Sequence, residues 1–270
     1  RGLDNFSGFL CCGVGCVQPP GASSLKILYL ITRSDEIGGA QIHVRDLAMA
    51  MRQRGHEAVV VAGGDGRLFQ QLKSRGVDYR AVPALVRPVR PVLDIRALLQ
   101  LVRLIREEKP DLVSCHSSKA GLLGRLAARW AGVPAVFTAH GWAFTEGVGS
   151  LRHLYVALER LAARWAERII TVSEYDRVLA LRSGVGQPEQ LVCVHNGMPE
   201  VTPSYRADPA ADPPRLVMVA RFNTQKDHET LLRALAGLRD RDWTLELLGS
   251  GPGRAANEAR AAELGLAGRV

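Results

Sequence analysis

Runs of consecutive apolar residues recur along this chain and alternate with stretches whose apolar positions are spaced for a helix. The runs predict strands at 26–31, 58–62, 78–82, 111–116, 135–140, 168–173 and 191–195. A helix is expected over 41–54. Ile95, Leu98, Leu99, Val102 and Ile105 share one helical face, with Asp94 as its N-cap. Leu122, Leu123, Leu126 and Trp130 mark the next helix, and Leu151, Leu154, Leu158, Leu161 and Trp165 the one after. These stripes read as core faces. Strands such as 169–172 are near-continuous in apolar character rather than alternating, as expected where helices cover both faces of a sheet. Parallel strands with crossover helices follow, an α/β architecture. Ligands in open sheets of this kind sit beyond the carboxyl ends of the strands. The residues there are Gly38-Gly39, His116-Ser117-Ser118, His140-Gly141-Trp142, Ser173-Glu174 and Asn196-Gly197.

The pattern breaks over 199–214, where Pro199, Pro203, Pro209, Pro213 and Pro214 cluster with Asp and Ala, as in an interdomain linker. It restarts with strand 215–220, helix 227–238, strand 243–248 and helix 254–264, and stops at Val270. Two βα units fall short of the roughly 100 residues usual for a domain, so the second domain is expected to be truncated. The expected organisation is a disordered extension over 1–24, an N-terminal Rossmann-like domain over 25–198, a linker over 199–214 and a partial C-terminal Rossmann-like domain over 215–270.

Composition changes this picture little. The chain has 270 residues, 47% hydrophobic and 23% charged, which fits a globular protein with a sizeable core. Its net charge of +8 points to an anionic ligand, an anionic membrane surface or simply an Arg-rich surface. There is no aromatic RNA-binding signature, zinc-finger spacing or basic tail, so nucleic acid is not expected as a partner. Cys115 and Cys193 lie in strand-like runs and read as buried thiols. Cys11, Cys12 and Cys16 cluster without a nearby His and offer too few ligands for a metal site. The odd cysteine count favours a reducing cytoplasm. No apolar run reaches the length of a membrane span.

Two glycine-rich turns stand out. Gly38-Gly39-Ala40-Gln41 follows the first strand and opens a helix. It reads either as a plain tight turn or as a phosphate site, because glycine lets a ligand approach the backbone and the helix N-terminus favours an anion. Gly249-Ser250-Gly251-Pro252-Gly253 is a similar turn downstream. Asp240-Arg241-Asp242 imitates a metal-binding triplet but precedes a strand, the wrong end for a ligand, and reads as a solvated turn. Arg87-Pro88-Val89-Arg90-Pro91 lies on the ligand side, either as a rigid solvated loop or as a contact for a phosphorylated or lipid-linked acceptor or an anionic membrane surface.

Six motifs in order complete the reading: Gly38-Gly39-Ala40-Gln41, residues 111–121 (DLVSCHSSKAG), His140-Gly141-Trp142-Ala143-Phe144, residues 170–174 (ITVSE), His195-Asn196-Gly197, and Ala220-Arg221-Phe222 with Lys226. Together they resemble the retaining glycosyltransferases of family 4, over roughly residues 25–270, and the His-Gly-Trp-Ala-Phe form is most similar to bacterial capsule and exopolysaccharide transferases. The resemblance implies the GT-B fold, two Rossmann-like parallel-sheet domains facing a cleft, with the second truncated here. It implies an acceptor domain followed by a donor domain. Arg221 and Lys226 match the pair that binds the donor diphosphate, where two cations offset the leaving charge without a metal. Gly38 and Gly39 fall near the donor phosphates, and Gly249 and Gly251 match the loop on the nucleotide. His140 matches the histidine that bonds the transferred sugar; the plainer alternative is a strand-end His bonded to a loop carbonyl. His116 falls on the acceptor side, and Asn196 and Glu174 read as structural. The family's pair of glutamates, seven residues apart in the second domain, has no counterpart here. Glu258 and Glu263 have the wrong spacing.

The expected activity is therefore that of a metal-independent hexosyltransferase. It would move a sugar from a UDP- or GDP-sugar to a saccharide or lipid-linked acceptor, with retention, in surface polysaccharide synthesis. It would need no cofactor, and would work in the cytoplasm with peripheral contact to the inner face of the plasma membrane. The alternatives are a GT-B-fold nucleotide-sugar 2-epimerase and an inactive sugar-nucleotide-binding fragment. An NAD-dependent enzyme fits less well, because Gly38-Gly39 lacks Gly-x-Gly-x-x-Gly spacing and Gly63-Gly64 stands where an acid belongs.

Overall fold

A computed structural model of the chain describes residues 23–145, 149–198 and 200–270. The expectations for residues 1–22, including Cys11, Cys12 and Cys16, and for Pro199 lie outside the described residues. The chain divides into two compact units, Arg1–Gly197 and Met198–Val270.

The first unit is a seven-stranded, wholly parallel sheet. Its strands are β1 (Lys26–Arg33), β2 (Glu57–Gly63), β3 (Asp78–Ala81), β4 (Leu112–His116), β5 (Ala135–Ala139), β6 (Arg168–Thr171) and β7 (Leu191–Cys193), in spatial order β3-β2-β1-β4-β5-β6-β7. The helices between them are α1 (Gly39–Gln53), α2 (Arg67–Ser74), α3 (Pro91–Glu108), α4 (Ser118–Ala131), α5 (Arg152–Ala163) and α6 (Glu174–Arg182). Side chains alternate across β1. Ile27, Tyr29 and Ile31 join the core under α1 and α2, while Leu28 and Leu30 join the core under α3, α4 and α5. Helix α4 lies close on the sheet because it carries glycines where it crosses. A Cβ at Gly121 would sit 2.4 Å from the Phe137 ring, and one at Gly124 would sit 2.4 Å from Leu30.

The second unit holds β8 (Arg215–Val219), α7 (His228–Ala236), β9 (Thr244–Leu248) and α8 (Arg254–Glu263), with β8 and β9 parallel. Leu232, Leu235, Trp243, Leu245 and Leu266 form its core. Val217 and Val219 stand exposed on the other face.

Three expectations need correction. Ile95, Leu99, Trp130, Leu151, Leu154 and Leu161 are exposed. The buried face of α3 runs through Ala97, Leu98, Leu101, Val102 and Ile105, so the small Ala97 marks the core and the larger Ile95 and Leu99 do not. The buried face of α5 is turned to Val156, Glu159, Ala162 and Ala163 because Glu159 pairs with a buried Arg125. Asp94 is not the N-cap of α3. Pro91 opens the helix after Arg90, and the Asp94 carboxylate accepts the Arg90 N–H from inside the first turn at 3.0 Å. Cys115 is buried, but Cys193 is only half-buried, in the edge strand β7.

Candidate active site

The order β3-β2-β1-β4 places the topological switch point between β1 and β4, where successive connections leave in opposite directions. The carboxyl ends of these two strands are tied by short polar side chains. The hydroxyls of Thr32 and Ser117 lie 2.7 Å apart, and the Thr32 Oγ1 accepts the N–H of Ala120 at 3.1 Å. Ser117 has φ 67° and ψ 152°, a region that side-chain-bearing residues rarely enter and that costs about 1–3 kcal/mol. Its bonds to Thr32 hold it there, at the start of α4. A cavity of about 560 Å³ opens beside this point. Leu122, Leu123 and Leu158 give it apolar walls, and Arg33, Arg87 and Lys119 line it with cations. Lys119 is pinned by Asp94 at 2.5 Å and by the carbonyl of Pro88.

Gly38 and Gly39 open α1 next to the same edge. Gly38 has an extended backbone (φ −123°), and Gly39 also needs no positive φ. The Gly38 N–H donates to Oε1 of Gln41 at 3.2 Å. A Cβ at Gly39 would meet nothing within 4 Å. Backbone strain therefore does not explain this pair, and the open space over Gly39 is what its lack of a side chain preserves.

Three histidines converge at the ends of β4 and β5. Nδ1 of His116 lies 3.1 Å from Nε2 of His140, and Nε2 of His116 lies 3.0 Å from the Ser114 hydroxyl. His43, from α1, packs edge-on against His140 with ring centroids 4.9 Å apart. Burial lowers the pKa of all three. His140 is pushed down to about 4 by burial and then by His43, and His116 falls well below the usual imidazole range through burial and its two neighbours. In His43 burial outweighs the opposing pull of Asp46 and of a hydrogen bond to Asn196. All three rings are thus neutral at pH 7. Their ligand nitrogens lie within 4.8 Å of one another, the one such grouping among the described residues. That spacing is compatible with a metal ion, but the bond between His116 and His140 already engages one nitrogen of each.

The rest of the His140 motif is structural. Gly141 takes φ 118°, which requires glycine and reverses the chain after β5. Trp142 and Phe144 then fold back into the core, stacked 5.3 Å apart, and the Trp142 indole N–H donates to the carbonyl of Asp176 at 2.9 Å. Glu174 is the first residue of α6 and pairs with Arg177. The cap itself is Ser173, whose hydroxyl accepts the Asp176 N–H.

The other expected site residues belong to the second unit. Arg221 is exposed just after β8, and Lys226 is exposed in a 3-10 turn, Thr224–Lys226, two residues before α7. Phe222 between them is buried and stacks on His228 at 4.5 Å. Gly249 and Gly251 have a packing explanation: Cβ atoms there would lie 1.9 Å from the Ala220 carbonyl oxygen and 2.5 Å from that of Phe222. They let the loop after β9 lie against the loop after β8. Asp240 and Asp242 are exposed ahead of β9, and Asp242 pairs with Arg269 at 3.6 Å.

Sequence reasoning missed His43, whose isolated position within α1 carries no motif. It also missed the buried pair of Arg125 and Glu159, which sat within stripes read as apolar. The signal that was available for Ser114 was its hydroxyl two residues before His116, on the same side of a strand.

Comparison with known proteins gives concordant results. The chain is 38% identical over 119 residues to a UDP-Gal:α-D-GlcNAc-diphosphoundecaprenol α-1,3-galactosyltransferase of Escherichia coli, covering 43% of this chain and 31% of that protein. It is 28% identical over 220 residues to EpsD of Bacillus subtilis, covering 75% of this chain and 55% of that one. The chain thus spans about a third to a half of the length of these relatives. The solved Anabaena HepE, in complex with UDP and glucose, superposes with a TM-score of 0.72 at 23% identity, over 91% of this chain and 68% of HepE, and so shares its fold. The glycosyl transferase 4-like domain matches residues 38–197, more than half of the chain, and the chain belongs to that family.

Proposed function

We propose that the protein transfers a hexose from a nucleotide-diphosphate sugar to a saccharide or lipid-linked acceptor, with retention of anomeric configuration and without a metal ion, in surface polysaccharide synthesis. The observation that carries this reading is the His140 imidazole at the carboxyl edge of β5, bonded to His116 and with burial favouring its neutral form, in a sheet matched by the glycosyltransferase family. A neutral imidazole can exchange a hydrogen bond with a sugar hydroxyl without adding charge to an oxocarbenium-like transition state. In the proposed step the bond from the sugar anomeric carbon to the diphosphate oxygen breaks and its electron pair leaves with the diphosphate. The acceptor hydroxyl forms the new bond on the same face and gives its proton to the departing phosphate oxygen. Arg221 and Lys226 serve as the cations that offset the charge on the diphosphate. The open approach over Gly38 and Gly39 admits donor phosphate, and the backbone of the loop holding Gly249 and Gly251 contacts the nucleotide.

The cavity at the switch point suits the acceptor. Its leucines match the chain of a lipid carrier, and Arg87 is the lining cation proposed to meet a diphosphate, since Arg33 and Lys119 are already paired with Asp35, Glu36 and Asp94. On α3, Val92, Ile95 and Leu99 are 81%, 61% and 59% exposed beside the exposed Arg90 and Arg96, a combination that suits the anionic inner face of a plasma membrane. No helix among the described residues is long and apolar enough to cross a membrane, so the contact proposed is peripheral.

The test incubates the protein with UDP- and GDP-sugars and a polyprenyl-diphosphate-linked sugar, in EDTA. Mass spectrometry follows the acceptor, and NMR reads the new anomeric linkage. Extension of the acceptor with the donor's configuration supports the reading. Inversion, loss of activity in EDTA, or free epimerised nucleotide sugar without extension refutes it.

A further inference from the structure

We infer that Ser114 and His116 are positioning residues that hold His140 as its Nδ1–H tautomer, so that His140 offers a hydrogen-bond donor from Nδ1. The function of that donor rests on the proposed role of His140; the tautomer itself does not.

The hydrogen inventory decides the matter. Ser114 and His116 are both buried, and the Ser114 hydroxyl has one hydrogen-bonding partner among the described residues, Nε2 of His116 at 3.0 Å. Nδ1 of His116 has one partner as well, Nε2 of His140 at 3.1 Å. A neutral imidazole carries one proton, so two polarities satisfy the chain. In the first, the serine donates to Nε2 of His116, His116 donates from Nδ1 to Nε2 of His140, and the proton of His140 resides on Nδ1. In the second, every bond reverses, and the serine hydroxyl must accept from His116. Its own proton then has no acceptor within a buried strand. An unmet donor is the penalised state, while an oxygen that accepts nothing is tolerated, so the first polarity is favoured by on the order of tenfold or more.

The far end of the relay fits. Nδ1 of His140 has no hydrogen-bonding partner among the described residues and is not among the buried, unpartnered atoms. It is therefore open to a ligand oxygen. His43 fixes the plane of the ring from the side, crossing it at 73°. A hydroxyl on β4, two residues before the strand end, thus sets the hydrogen-bonding character of a group on the neighbouring strand.

The test labels histidine with ¹⁵N in the EDTA-washed protein and reads tautomers from two-bond ¹H–¹⁵N correlations, with His140→Gln for assignment. The parent is expected to show His140 protonated at Nδ1, against the preference of a free imidazole for Nε2. Ser114→Ala, a small change within a strand, leaves Nε2 of His116 without its partner in either polarity. The bias is then expected to be lost and His140 to populate both tautomers, with Ser114→Thr restoring the parent pattern. His140 protonated at Nε2 in the parent, or unchanged nitrogen shifts in Ser114→Ala, overturns the inference. This readout needs no substrate, so it stands apart from the transferase reading. Where sugar transfer is measured, Ser114→Ala should lower kcat about twofold with KM nearly unchanged, following the fall in the population of the Nδ1–H form. An unchanged kcat alongside a shifted tautomer refutes the functional part alone.

Discussion

Glu159 in this protein should be worth more to stability than any exposed carboxylate on its surface. Its partner Arg125 is fully buried, with Nη2 2.7 Å from the Glu159 carboxylate, Nε donating to the Gly121 carbonyl at 2.7 Å, and the guanidinium 4.1 Å from the Phe137 ring centroid. Nη1 has no partner. Glu159→Leu keeps the volume of the side chain but leaves a buried cation with one carbonyl and one ring. Breaking a buried pair in this way costs about 3–5 kcal/mol, whereas replacing both members with apolar residues is often neutral. With a urea m-value of about 2 kcal/mol/M, the single substitution should lower the unfolding midpoint by about 2 M. Arg125→Met with Glu159→Leu should restore most of it. Hydrogen exchange of peptides from α4 and α5 along a urea series isolates the first unit. A shift below about 1 kcal/mol for Glu159→Leu, or a double variant as weak as the single, would show that the charge is not what the site depends on.

Three further outcomes are expected. Gly39→Ala should leave thermal stability unchanged or slightly raised while weakening nucleotide-sugar binding by calorimetry, whereas Gly249→Ala should unfold the second unit, because its Cβ would meet the Ala220 carbonyl at 1.9 Å. Gly121→Ala should cost about 1–3 kcal/mol, since its methyl would lie 2.4 Å from the Phe137 ring; an unshifted denaturant midpoint would contradict the close packing of α4. Stability should fall on acidification. The pKa of His140 is about 4 folded against 6.5 unfolded, so below pH 6.5 the unfolded chain binds more protons, and up to about 3 kcal/mol is lost by pH 4. His140→Gln should flatten that part of the pH profile of thermal unfolding.

The fold was legible because strands buried on both faces leave an unmistakable trace. Val59, Val60 and Val61 in β2 or Leu28, Tyr29 and Leu30 in β1 are apolar at consecutive positions, and only a sheet covered on both sides buries them all. Helix faces were less legible. On α3 the same apolar vocabulary serves the core at Leu98 and Val102 and the surface at Val92, Ile95 and Leu99, so periodicity alone could not say which stripe faces inward. On α5 the inward face carries a glutamate, and its orientation is decided by Arg125, a residue 34 positions earlier on another helix.

The site was legible only as a set of places. Sequence showed that His116 and His140 each close a strand, but their contact depends on β4 and β5 being neighbours in register, with His116 opposite Thr138. Spatial neighbours of that kind come from sheet order. His43 is further still from view, because it reaches the cluster from α1, across the switch point where the chain reverses its direction of winding. The same topology explains the strain at Ser117. The residue after β4 must turn at once into α4 while its hydroxyl reaches Thr32 on β1, and only an unusual backbone meets both demands. Two features that sequence reading treats as independent, a histidine-serine pair after one strand and a lone histidine in a distant helix, are thus consequences of one fact about strand order. What the chain presents at the ends of β4 and β5 is a hydrogen-bonded row of Ser114, His116 and His140, and under the proposed function it is this row, rather than the neighbouring cations, that meets a sugar hydroxyl.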